Sequence, residues 1–199
     1  MIYQIKELLL SDGRSPYAAW FSALDPMAAA KVSVAAARMA QGNLSNVEWF
    51  RGIGEYKIDW RPGYRIYLAK DGLKALWEDH KRRKARTKKG AQPMALTRDF
   101  KATVVARVQT DPAFAQALLD EAITLFIDGE PDTAKLILRD LVNATVGFES
   151  LAEEIHKPAK SLHRMLSASG NPTMNNLSAI FAAIKRALKV EVHTTVVMA

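Results

Sequence analysis

Lys57, Tyr64, Arg65 and Tyr67 fall within one short stretch, EYKIDWRPGYRIYLAKDG, residues 55–72. Cations alternate there with aromatic rings, on two β-rich runs flanking Arg61-Pro62-Gly63 that read as a hairpin. Every second residue of a strand shares a face, so Lys57 and Arg65 can be displayed together on a sheet. Ammonium and guanidinium groups hold phosphates, and tyrosine rings stack on unpaired bases, so the chemistry in view is RNA binding. A plainer account covers the same residues: a half-buried hairpin with solvated charges on its outer face.

A second group lies in GFESLAEEIHKPAKSLHRMLSASGNP, residues 147–172. Leu151, Ala152 and Ile155 share one face of a short helix. Lys157-Pro158 breaks it, and Leu162, Met165 and Leu166 form the expected buried stripe of the next helix. A small residue at Ala152 lets two helices cross closely, as a helix-turn-helix over residues 148–168 requires. Lys160, Ser161, His163 and Arg164 then point outward, where cations and hydrogen-bonding groups suit base edges and phosphates in a major groove. His156 stands at a turn position often held by glycine, and Lys157 where an apolar residue is common. The competing account is a helical hairpin with a solvated polar face.

The elements that must position these groups differ between the two halves. Residues 2–10, IYQIKELLL, suit a strand; SPYAAWFSALDP suits a short helix, and Asp25-Pro26 opens an alanine-rich helix that Gly42-Asn43 stops. After Asp71-Gly72, LKALWEDHKRRK reads as a terminal helix. From Met94 the pattern is helical almost to the end. Asp111-Pro112 starts a helix with Phe114, Leu118, Ala122, Leu125 and Phe126 near one face, and Gly129 ends it. The next helix repeats the logic with Ala134, Ile137, Leu138, Leu141 and Val142. The tail LKVEVHTTVVM is β-rich, suited to pairing in a dimer or to fraying. The expectation is an α+β fold: a small sheet-plus-helix domain joined to an all-α helix-turn-helix domain.

Charge follows the same division. The chain of 199 residues has a net charge of +7, with 17 Lys and Arg against 9 Asp and Glu in residues 1–93, and 11 against 12 in residues 94–199. A basic half suits a polyanion, without distinguishing RNA, DNA and an anionic membrane. There are no cysteines, which removes disulfides, thiol nucleophiles and thiolate metal sites. His80, His156, His163 and His193 lack ligand spacing, so neither a metal nor another cofactor is expected. No apolar run reaches the roughly 18 residues of a membrane span, and the N-terminus is a poor signal peptide.

Residues 14–80 resemble the RelE/HigB-like toxins of type II toxin–antitoxin modules. The order of the tryptophan-bearing helix, the Gly-Asn stop and the Pro-Gly-Tyr-Arg-Ile-Tyr hairpin carries the likeness. The resemblance implies a ribosome-dependent mRNA endonuclease in which Lys57 and Arg65 meet the RNA and a 2′-hydroxyl attacks the adjacent phosphate. It implies stacking or orientation of a base for Tyr64 or Tyr67, and proton transfer for Lys57 if neighbouring cations lower its pKa. Against that pattern, the sequence lacks one apolar strand and the turn after it, so this half is expected to be impaired or only a docking surface.

Residues 96–192 resemble the HigA-like, Xre-related antitoxins, with GFESLAEE, KSLHRML and GNPTMNNL as marker segments. That resemblance implies a dimeric DNA-binding autorepressor that also binds the toxin. It makes Lys160, Ser161, His163 and Arg164 recognition residues, with Asn171 and Thr173 contacting the DNA backbone. The expected layout is a toxin-like domain at 1–80, a basic linker at 81–95, where KRRKARTKK adds phosphate affinity or is a solvated join, and an antitoxin-like domain at 96–194. The leading expectation is a cytoplasmic toxin–antitoxin fusion that represses transcription as a homodimer on operator DNA, its halves in contact. The enzymatic alternative is an mRNA endonuclease, acting at the ribosome, silenced by the fused antitoxin until the linker is cut. A third reading is a structural oligomer with neither activity.

Overall fold

Ser15-Pro16 and Asp25-Pro26 start the first two helices in the same way, with a side-chain oxygen capping the free amides and proline fixing the first turn. The Ala18 N–H donates to Ser15 Oγ and the Ala28 N–H to Asp25 Oδ1, both at 3.0 Å. They open α1 (Pro16–Ala23) and α2 (Pro26–Ala40). The computed structural model describes residues 3–60, 63–71, 74–78 and 97–193. The fold is α+β, and it divides into two units, Met1–Val104 and Val105–Ala199.

The first unit is built on β1 (Gln4–Leu8), β2 (Val47–Phe50), β3 (Ile53–Ile58), β4 (Tyr64–Asp71), β5 (Lys74–Glu78) and β6 (Thr97–Asp99). They form one sheet in the order β2-β3-β4-β5-β1-β6, with β1 parallel to β5 and every other neighbour antiparallel. Alternation decides which residues are buried. Ile5, Tyr56, Ile66 and Leu68 are buried, as are both valines and most of the alanines of α2. A side chain at Gly54 would collide with this layer: an added Cβ would lie 2.7 Å from Val47 Cγ1 and 3.0 Å from Leu68 Cγ.

Two expectations change here. Within the expected terminal helix after Asp71-Gly72, Lys74–Glu78 is a strand that pairs with β4 on one side and β1 on the other; the rest of that expected helix lies outside the described residues. A short apolar run such as KALWE has no periodicity long enough to separate strand from helix, and the open sheet edges on both sides settle it as strand. One further strand, β5, thus follows the hairpin among the described residues. The second change is the boundary. Thr97–Asp99 pairs with β1, so the first unit extends to Val104 rather than ending near residue 80. The basic run of the expected linker lies outside the described residues.

The second unit is all-α. It takes in the last part of α3 (Phe100–Thr110), then α4 (Pro112–Ile127), α5 (Pro131–Ala144), α6 (Phe148–Glu154), α7 (Ala159–Met165) and α8 (Met174–Leu188). Asp111 caps α4 through the Phe114 N–H at 3.0 Å, and Gly129 ends the run with φ at 81°. Phe114, Leu118, Ala122, Leu125, Ala134, Ile137, Leu138, Leu141 and Val142 are buried as their spacing requires; Phe126 is half-buried, its ring edge-on to Phe181. Of the β-rich tail, residues 190–193 take no regular structure and the remainder lies outside the described residues. No described helix is long and apolar enough to cross a membrane.

Candidate nucleic-acid interface

Lys57 and Arg65 stand directly opposite each other across β3 and β4. The same register sets Glu55 opposite Tyr67, and β2 sets Glu48 opposite Glu55. One sheet face therefore carries Glu48, Glu55, Lys57, Arg65 and Tyr67. Lys57 Nζ lies 2.7 Å from Glu48 Oε1, and Arg65 Nε lies 3.2 Å from Glu55 Oε1. The Tyr67 hydroxyl donates to that same glutamate oxygen at 2.9 Å. Two positive charges meet two negative ones, so this patch has no net excess of cation to attract a phosphate.

The pairing also sets the proton chemistry. The hydrogen bond that Lys57 donates to Glu48 raises the Lys57 pKa above its ordinary value, with a smaller opposing effect from desolvation. An ammonium held in this way is a poor proton acceptor at neutral pH. This reverses the direction expected from neighbouring cations. Desolvation, then the bond to Glu55, raises the Tyr67 hydroxyl pKa as well.

Tyr64 does not belong to this group. It sits three residues from Tyr67 on the same strand, which places it on the opposite face. Its ring lies edge-on to Trp20, with centroids 6.5 Å apart, and its hydroxyl donates to Asp25 Oδ2 at 3.4 Å. Desolvation and Asp25 raise its pKa. Tyr64 ties the hairpin to the start of α2 and is not arranged to meet a base beside Lys57.

The second unit gives a different electrostatic result. In α6 and α7, Leu151, Leu162 and Leu166 are fully buried, while Ile155 and Met165 are half-buried. His156 takes φ at 52°, the left-handed conformation that ends α6. The Lys157 N–H donates back to the Ala152 carbonyl at 3.0 Å, and Pro158 precedes α7. The turn thus adopts the geometry usually given to glycine, with a histidine in its place.

On α7, Lys160 and Arg164 are exposed and four residues apart, so they share a face; Ser161 is half-buried beside them. Among the described residues neither cation has an acidic partner. The exposed acids Glu149, Glu153 and Glu154 lie on α6, and Glu154 is paired with Arg186 of α8. A polyanion is therefore favoured at α7 and disfavoured along α6. Within this turn the charge is sorted by helix.

His163 departs from the outward placement expected of it. Its ring is half-buried and stacked on Phe148, with centroids 3.8 Å apart and planes at 20°. It holds α7 against α6, leaving Lys160, Ser161 and Arg164 as the accessible side chains. Thr173 caps α8 through the Asn176 N–H at 3.3 Å, and Asn171 is exposed just before it. Thr173 is thus engaged in shaping the turn into α8.

Three positioning residues escaped the sequence reading. Lys135 is buried on α5, pairs with Asp132 at 2.8 Å and donates to the carbonyls of Ala168 and Gly170 at 3.3 and 2.5 Å. Gly170 itself has no room for a side chain, since a Cβ would lie 2.2 Å from the Met165 carbonyl oxygen. Together they fix the segment that leaves α7. Phe148 is the third, as the platform for His163. A lysine at position 135, inside an otherwise apolar stripe, was the one available signal.

No cluster of acidic or histidine side chains among the described residues could hold a metal ion. Comparison of the chain with family models, with curated proteins and with solved structures finds no match.

Proposed function

We propose that the chain is a DNA-binding transcriptional repressor that reads operator DNA in a major groove through α7. Lys160 and Arg164 supply phosphate and base contacts, Ser161 a hydrogen-bonding group, and His163 the packing that sets the helix in place. The observation that carries this reading is the contrast between two pairs of cations. Lys160 and Arg164 have no acidic partner among the described residues, whereas Lys57 and Arg65 are each neutralised by a glutamate. Free cations on a short helix after a tight turn are what phosphate neutralisation requires.

The first unit is then a toxin-like docking module whose RNA-facing charges are already satisfied. On this reading the protein is a toxin–antitoxin fusion acting as a homodimer in the cytoplasm. The endonuclease alternative requires Glu48 and Glu55 to be displaced before RNA can reach Lys57 and Arg65. Selection of duplexes from a random DNA pool tests the proposal. Enrichment of a defined sequence is expected; recovery of unselected DNA, or of none, would count against it.

A further inference from the structure

Glu7 on β1 is a carboxylate with 0% of its surface exposed. It accepts hydrogen bonds from Ser15 Oγ and Thr103 Oγ1. Its positive partner is Arg98, which forks onto it with Nε and one terminal nitrogen, each at 3.2 Å. Arg98 also donates to Thr103 Oγ1 at 3.0 Å. Glu7 and Arg98 face each other in the β1–β6 register, between Lys6 opposite Asp99 and Leu8 opposite Thr97. Two residues beyond Arg98, the buried Phe100 ring meets Tyr17 and Phe21 edge-on, with centroids 5.5 and 5.9 Å away.

We propose that the outer edge of β1, with Glu7 beneath it and the Tyr17–Phe21 rings beside it, is a strand-docking groove, and that its occupant is this chain's own Thr97–Phe100. The arginine and the phenylalanine, two residues apart, are the anchors. The occupant is needed because a buried carboxylate without its cation is strongly unfavourable, and an open strand edge leaves backbone groups unpaired. The groove thus selects a short strand carrying arginine, with an aromatic residue two positions on at the start of a helix.

This has a consequence for the chain between residues 79 and 96. Because Thr97–Phe100 lies on the C-terminal side of that stretch and is bound to the elements before it by its own contacts, the two products of a cut there stay together. Cleavage of the join is not enough to release the N-terminal fragment; Arg98 must also leave Glu7. A free N-terminal fragment needs a competitor strand or a loss of the Arg98 and Phe100 anchors. The inference is independent of whether α7 binds DNA.

A protease site placed at residues 84–89 of the full chain tests it. After cutting, the two wild-type fragments are expected to co-elute in size-exclusion chromatography at micromolar concentration. The cut Arg98→Ala/Phe100→Ala chain is expected to separate, with affinity at least tenfold weaker. Circular dichroism of the uncut variant checks its fold. Should that variant fail to fold, excess peptide Thr97–Thr110 added to the cut wild-type chain should accelerate separation. Separation of the wild-type fragments, equal retention by the folded variant, or no effect of the peptide would overturn the proposal.

Discussion

The His163 ring lies flat against Phe148, with centroids 3.8 Å apart, and so the residue best suited by type to read a base edge is committed to joining α6 and α7. A stacked aromatic pair contributes about 0.5–1.5 kcal/mol beyond its buried area. His163→Ala is therefore expected to lower the unfolding free energy by about 1–2 kcal/mol in urea titrations. His163→Phe should restore most of that stability and of the DNA affinity, whereas His163→Gln should not. The reverse order would make the imidazole nitrogens, rather than the ring, the functional feature.

His156 carries a second prediction. A non-glycine residue in the left-handed region is strained by roughly 1–2 kcal/mol, partly offset by the greater unfolded-state entropy of glycine. His156→Gly should stabilise the chain by about 1 kcal/mol, read as a higher denaturation midpoint at an unchanged slope. A neutral or destabilising result would mean that the His156 side chain makes a contribution larger than its backbone strain.

The Lys57–Glu48 pair can be followed directly. Because the Lys57 pKa is raised, its ammonium persists through neutral pH. Any stabilisation from the pair is fully present below the unfolded pKa and fades only as alkaline pH passes the raised folded value. In NMR titration, Lys57 of the wild type should ionise above an ordinary lysine, and Glu48→Gln should bring it down. Titration of wild-type Lys57 below the ordinary value would revive it as a proton acceptor.

Gly170→Ala addresses the segment after α7. With backbone carbonyls at 2.2 and 2.3 Å from the new Cβ, no side-chain motion can relieve the clash. A loss of about 3 kcal/mol is expected, with DNA binding weakened in the fraction that remains folded. Unchanged stability would show that this segment does not constrain the recognition helix.

The sequence showed the groups and their local elements better than their neighbours across space. Alternation was enough to put Lys57 and Arg65 on one face, and applied strictly it also separates Tyr64 from Tyr67. It could not reveal Glu48, because that contact depends on how β2 returns along β3 through Arg51-Gly52, both at positive φ. In the second half, Leu151, Leu162 and Leu166 disclosed the helical turn, since burial repeats with the helix period. The His163–Phe148 stack crosses two elements fifteen residues apart, and the Lys135 contacts cross a greater distance, so neither leaves a local periodic signal. β6 is hidden inside a helical pattern because three residues are too few to display an alternation.

The most direct measurement is duplex DNA binding as a function of salt for three full-length proteins: wild type, Lys160→Ala/Arg164→Ala and Lys57→Ala/Arg65→Ala, each checked for folding. Each lost phosphate contact should lower the slope of log affinity against log salt by about 0.9. The account predicts that the α7 variant loses at least tenfold in affinity with a slope reduced by nearly two such steps, while the sheet variant matches wild type. Wild-type binding by the α7 variant, or a loss confined to the sheet variant, would contradict it.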